Sequence, residues 1–189
     1  MMGATTADKL YGMAGSDTIQ GAAGNDLVSG GDGNDILYGG QGADTVTGDA
    51  GDDRVTGDDG NDSLSGGAGA DAIEGGVGAD TMSGGTEADL FVFRDGQALA
   101  SASDRILDFS HAQGDHISLT AIDANTLVAG DQAFTFIGST AFHHKAGELH
   151  YEAASGGIYL AGDTNGDGVA DIKIFLDGLK SFSSGDAWL

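Results

Sequence analysis

The sequence predicts an all-β protein: a parallel β-roll with two nonapeptides per coil, followed by a mostly antiparallel β domain that caps it. Three observations carry this expectation. Aspartate recurs every nine residues from Asp8 to Asp89, and an apolar side chain always stands two places after it. Glycine makes up 35 of the 189 residues, and there is no proline. Beyond about residue 91 the nine-residue beat stops, and short apolar segments separated by turns replace it. The chain thus divides into a tail (1–7), a roll (8–91) and a C-terminal β domain (92–189).

Within the roll, the apolar partners of the successive aspartates are Leu10, Ile19, Val28, Leu37, Val46, Val55, Leu64, Ile73, Met82 and Phe91. Repetition this regular overrides any reading of local propensity. About three residues around each apolar position form a short strand that points that side chain inward. The intervening Gly-Gly-x-Gly-x-Asp segment reverses the chain, using the positive φ angles that glycine tolerates. Two nonapeptides then close one flattened coil, and stacked coils pair parallel strands at about 4.8 Å.

Stacking gathers Asp17, Asp35, Asp53, Asp71 and Asp89 on one edge and Asp8, Asp26, Asp44, Asp62 and Asp80 on the other. Carboxylates about 5 Å apart repel by about 3 kcal/mol at an effective dielectric of about 20. A hard divalent cation between turns reverses that sign. Calcium accepts carboxylate and carbonyl oxygens in flexible geometry, whereas magnesium demands a smaller octahedral site. A nonapeptide of this form is a known signature of calcium-binding parallel β-helices.

The candidate ligands are the carboxylates of Asp17, Asp26, Asp35, Asp44, Asp53, Asp62, Asp71, Asp80 and Asp89. Four turns keep every glycine, and they add backbone carbonyls from Gly30, Gly31, Gly33, Gly39, Gly40, Gly42, Gly66, Gly67, Gly69, Gly75, Gly76 and Gly78. Elsewhere Met13, Ala22, Asp49 and Asp58 replace the second glycine, and Asp32, Asp49 and Asp58 place further acids in turns. Glu87 replaces the fourth glycine of the last turn, which predicts a weak or absent site there. The adjacent ladder pairs, less the damaged end, suggest about seven calcium ions. A core one side chain thick, built on a glycine-rich backbone, is expected to fold only when calcium binds.

With 30 acidic against 7 basic residues, the net charge is −23. Such a chain repels nucleic acid and anionic membranes, so neither is an expected partner. The absence of cysteine excludes disulfides and thiolate zinc sites. The opening MMGATTADKLYG lacks the basic and apolar regions of a cleavable signal peptide, and no apolar run is long enough to span a membrane.

The second half offers strand-like segments at DLFVF, DRILDF, DHISLTAI, QAFTFIG, GELHYE, GGIYLAG and ADIKIFL. ADLFVF (88–93), DRILDF (104–109), GDHISLTAIDAN (114–125), GDQAFTFIG (130–138), AFHHKAGELHY (141–151) and GDTNGDGVADIKIFLDG (162–178), with the repeats, resemble the C-terminal region of serralysin-type secreted metalloproteases, within the wider RTX group. The resemblance implies a calcium-bound roll, extracellular location, and export by a type I secretion apparatus reading an uncleaved C-terminal signal. SFSSGDAWL fits that signal, with Asp186 followed by Ala187, Trp188 and Leu189, and reads equally as a last strand.

No catalytic function is expected. The histidines at 111, 116, 143, 144 and 150 do not form the His-Glu-x-x-His pattern of those proteases. The expected role is a non-catalytic calcium-binding module for secretion and folding, with an upstream protease or other passenger domain as a partner; the alternatives are the C-terminal fragment of a serralysin-like zinc metalloprotease whose catalytic domain lies outside this chain, and a calcium-stiffened surface or adhesive protein. The loop Asp163, Asn165, Asp167, Gly168, Asp171 spaces its oxygens like an EF-hand but has Ile174 at the twelfth position. It suits either a calcium site or a self-bonded set of Asx-turns.

Overall fold

The structure is a computed structural model describing residues 1–189. Nine strands of six residues each build the roll: β1 Lys9–Ala14, β2 Thr18–Ala23, β3 Leu27–Asp32, β4 Ile36–Gln41, β5 Thr45–Ala50, β6 Arg54–Asp59, β7 Ser63–Ala68, β8 Ala72–Val77 and β9 Thr81–Thr86. Each begins directly after an aspartate and runs through the first two glycine positions. The strands are twice the expected length because the first half of every turn stays paired to the next coil, as in Met13 opposite Gly31 and Ala14 opposite Asp32.

Odd-numbered strands form one parallel sheet and even-numbered strands the other. The register shift is a full coil at every step. Leu10, Val28, Val46, Leu64 and Met82 therefore stack in one row, and Ile19, Leu37, Val55, Ile73 and Phe91 in the other. All ten are buried. Ahead of β1, the N–H of Gly3 donates to the Gln20 carbonyl at 2.7 Å, and Met2 bridges Gln20 in parallel. Residues before the first repeat thus lie along the edge of β2.

Parallel stacking continues past the last nonapeptide. β10 (Leu90–Arg94) pairs with β8, β11 (Asp104–Ile106) with β9, and β12 (His116–Ala121) with β10. Ile106 sits in register with Met82, and Ile117 with Phe91, so both apolar rows gain a further member. The remaining strands are β13 Thr135–Phe136, β14 Glu148–Ala154, β15 Gly157–Asp163, β16 Ile172–Asp177 and β17 Ala187–Trp188. β16 joins β11 in parallel; β14, β15 and β16 pair antiparallel, and Leu99 adds an isolated antiparallel bridge to Ile172. β17 closes the even sheet on β12. A single buried cluster of 27 residues runs from Leu10 to Ala187, so the roll and the C-terminal strands share one core.

Candidate metal ladders

The ladder aspartates are fixed by their own backbone. In each step the N–H of one aspartate donates to Oδ1 of the aspartate one coil later. The distances are 2.8 Å for Asp8 to Asp26, 2.7 Å for Asp17 to Asp35, 2.7 Å for Asp26 to Asp44 and 2.7 Å for Asp35 to Asp53. They are 2.8 Å for Asp44 to Asp62, Asp53 to Asp71 and Asp62 to Asp80, and 3.0 Å for Asp71 to Asp89. The other oxygen is left over. Oδ2 of Asp26, Asp35, Asp44, Asp53, Asp62, Asp71, Asp80 and Asp89 is buried without a partner. A lone buried carboxylate oxygen is costly in a protein interior. It recurs at each of these positions, leaving two rows of buried oxygens that no protein group satisfies. Asp17, at the open end, is only half-buried.

Glycines shape the space in front of those oxygens. A Cβ on Gly30 would overlap Asp35 Oδ2 and come within 2.7 Å of the Gly48 carbonyl; one on Gly39 would meet Asp44 Oδ2 at 2.5 Å and the Gly57 carbonyl at 2.8 Å. The first glycine of a turn is thus required for room rather than for an unusual φ. Gly66 and Gly75 stand in the same relation to Asp71 and Asp80. The second and fourth glycines, Gly31, Gly33, Gly40, Gly42, Gly67, Gly69, Gly76 and Gly78, press against carbonyl oxygens of the preceding coil.

Those positions also need positive φ, 107° at Gly31 and 124° at Gly33. The replacements conform rather than reshape the turn: φ is 79° at Met13, 86° at Ala22, 76° at Asp49, 73° at Asp58 and 81° at Glu87. Each such L-residue carries a strain of about 1–2 kcal/mol. The turn altered by Glu87 still leaves Asp89 Oδ2 buried and unpartnered. Of the other acids, Asp32 is exposed, Asp49 Oδ2 accepts a hydrogen bond from Ser29 Oγ at 2.6 Å, and Asp58 is half-buried.

These donors are oxygens alone, one carboxylate per step with backbone carbonyls beside it, which suits calcium rather than a nitrogen- or sulfur-seeking metal. No three His, Asp or Glu side chains converge anywhere as a side-chain cage. The histidines of the 143–150 segment are engaged separately: His143 Nδ1 lies 2.9 Å from Glu148 Oε1, His144 Nδ1 2.8 Å from the Asp167 carbonyl, and His150 Nδ1 2.8 Å from the Thr140 carbonyl.

Burial is the main force on the ladder's acidity. It pushes Asp53 and Asp89 up to about 6, and Asp62 and Asp71 up to about 7. The N–H bond from the preceding coil pulls each back in part, and neighbouring carboxylates push it up again. Asp44 and Asp80 are raised for the same leading reason. Without a counter-ion, Asp62 and Asp71 hold protons close to neutrality.

Two ladder members lie outside the nonapeptides and escape a search for the repeat. The Asp80 N–H donates to Asp104 Oδ1 at 2.9 Å, and the Asp89 N–H to Asp115 Oδ1 at 3.1 Å. Both keep the repeat's Asp-x-aliphatic core, as Asp104-Arg-Ile106 and Asp115-His-Ile117, which is the signal that could have found them. A further acid beyond the repeats, Asp108, stands off the ladders and accepts from Ser83 Oγ at 2.6 Å and from the N–H groups of Gly84 and Gly85 at 3.0 Å.

In the 163–171 loop, Asp163 Oδ1 accepts from the N–H of Asn165 and Gly166, and its Oδ2 from Gly168 N–H at 2.9 Å. Asp171 Oδ2 accepts from Thr164 N–H and Oγ1, both at 2.8 Å, and Asp167 Oδ1 from Val169 N–H at 2.8 Å. Asn165 Oδ1 in turn accepts from Asp167 N–H at 2.8 Å. The loop has the geometry of a self-bonded set of Asx-turns.

Comparison with known proteins agrees with this geometry. Residues 2–37, 29–64 and 56–91 match the family described as RTX calcium-binding nonapeptide repeat (4 copies), so the first half carries RTX repeats. No curated protein matches the chain. Among solved structures, the AlgE6R2 subunit of the mannuronan C5-epimerase of Azotobacter vinelandii is similar over 79% of this chain and 89% of its own, with 26% identity and a TM-score of 0.55. The AlgE6R3 subunit, from the mannuronan C5-epimerase of the same organism, aligns over 83% of this chain and 78% of its own at 28% identity, with a TM-score of 0.31. The extracellular lipase LipA of Serratia marcescens aligns over 99% of this chain and 39% of its own at 14% identity, with a TM-score of 0.44.

Proposed function

We propose that this RTX-bearing chain is a non-catalytic calcium-binding module that folds on extracellular calcium and so serves the secretion and folding of a bacterial secreted protein. The observation that carries the reading is the row of buried, unpartnered Oδ2 atoms from Asp26 to Asp89. Where calcium is scarce, the ladders repel and the chain stays expanded, a form suited to threading through a type I export channel. Extracellular modules bind calcium at about 10⁻⁴–10⁻³ M, and ligands that bind only the folded form stabilise it by mass action. The residues that would hold the ions are the ladder carboxylates and the turn carbonyls beside them. When bound, calcium supplies the positive charge that the ladders lack.

The test is circular dichroism of the purified chain through a calcium titration. The expected result is a cooperative gain of β signal, reversed by chelator. A spectrum indifferent to chelator would refute the proposal.

A second reading is favoured by the likeness to AlgE6R2, a subunit of an enzyme that acts on mannuronan. On it, the module accompanies a polysaccharide-modifying catalytic domain. Binding of the calcium-loaded chain to polymannuronate, measured by calorimetry, distinguishes this reading from a purely export-related role.

A further inference from the structure

We infer that the Asp80-to-Asp104 step is a further calcium site, outside the nonapeptide repeats, and that it ties the C-terminal sheet to the roll. This rests on the calcium reading above and extends it to a residue that no repeat contains, since the matched repeats end at residue 91.

The two ladders finish differently. On one edge, Asp115 ends the row with both oxygens occupied: Oδ1 accepts the Asp89 N–H at 3.1 Å and Oδ2 the Ser110 N–H at 2.8 Å. Both of its oxygens are satisfied by hydrogen bonds from the protein itself, which closes that row. On the other edge, Asp104 uses Oδ1 for the Asp80 N–H at 2.9 Å, while its Oδ2 is buried with no partner. Asp104 is 1% exposed, as is Asp80, whose Oδ2 is likewise unpartnered. The step therefore repeats the arrangement found throughout the roll, with two successive free carboxylate oxygens in the interior and no cationic side chain bonded to either.

The surrounding backbone differs from that of the repeats. Five residues before Asp104 stands Leu99, where a repeat has its first glycine. An ion at this step would lie on the two free carboxylate oxygens of Asp80 and Asp104. Its position gives it a role. β11, which begins at Asp104, lies between β9 of the roll and β16 of the antiparallel sheet. Charge neutralisation at Asp104 thus fixes the one strand through which the odd sheet passes from repeat to C-terminal domain.

The experiment counts bound calcium in the full chain by equilibrium dialysis, comparing wild type with Asp104→Asn and Asp115→Asn. Asparagine retains an acceptor for the coil's N–H in both. The expected result is one ion fewer for D104N and an unchanged count for D115N. An unchanged count for D104N overturns the inference, as does an equal loss in both. If wild type binds no calcium, the reading beneath the inference fails instead. Should D104N not fold, crystals of wild type grown in calcium decide through anomalous scattering: an ion on Asp104 Oδ2 upholds the site, and its absence while the repeat sites are filled overturns it.

Discussion

The backbone N–H of Asp44 donates to Oδ1 of Asp62 at 2.8 Å although a whole coil of chain separates them. That bond fixes the carboxylate's rotation, so from Asp26 to Asp89 Oδ2 is the atom left buried and unpartnered. Each of these aspartates joins neighbouring coils through one oxygen and leaves the other free.

Replacing Asp62 by asparagine is expected to have opposite effects with and without calcium. The amide oxygen still accepts the Asp44 N–H, while the charge that faces Asp80, Asp44 and Asp58 disappears. In millimolar calcium D62N should melt below wild type and bind fewer ions; in chelator at pH 7.5, where wild type is expanded, it should show more β signal than wild type. Thermal melts in calcium and circular dichroism in chelator check this, and a loss of β signal in chelator would contradict the ladder's role.

Calcium-free stability should fall as pH rises. The folded roll holds Asp53 and Asp89 near 6 and Asp62 and Asp71 near 7, against an ordinary value of 3.8. Between those limits the folded chain binds protons that the unfolded chain has released, so unfolding is favoured as pH climbs through about 4 to 7. With chelator present, the β signal in circular dichroism at pH 4.5 should exceed that at pH 7.5. Calcium binding near pH 6 should release protons, seen as a buffer-dependent heat in titration calorimetry.

Ala22→Gly should stabilise the calcium-loaded form. Ala22 holds φ at 86° in a position where the intact turns use glycine. Relief of that strain is worth about 1 kcal/mol, less the small entropic cost of the added glycine. Chemical denaturation in excess calcium measures it, and a loss of stability would show that the turn is unstrained there.

Gly30→Ala should damage one ladder step without any demand on φ. The new methyl group would take the place of Asp35 Oδ2. Overpacking of this kind costs about 1–3 kcal/mol, and the variant should also lose calcium affinity. Denaturation and dialysis on the same sample separate the two effects.

Much of the ladder was legible because its signals are local and periodic. Asp35 and Leu37 recur in the same relation nine times more, and a parallel coil puts equal phases on one line. The function of Gly30 was less legible. From sequence it reads as a source of turn flexibility, whereas its missing side chain is room for the Asp35 carboxylate. The run from residue 88 onward read as largely antiparallel; its Asp-x-Ile segments at Asp104 and Asp115 instead stack as further coils. Spacings of 24 and 26 residues to Asp80 and Asp89 hide them from a nine-residue search, because the loops before them are longer.

The sequence by itself determined the repeat, its two rows of acid and apolar residues, and the oxygen-rich chemistry of the ligand set. Period and residue type suffice for that, since every coil repeats the same local conformation. Only the tertiary structure decided which carboxylate oxygen is free and how the rows end. Those properties depend on hydrogen bonds between chain segments far apart in sequence, whose partners no local pattern specifies.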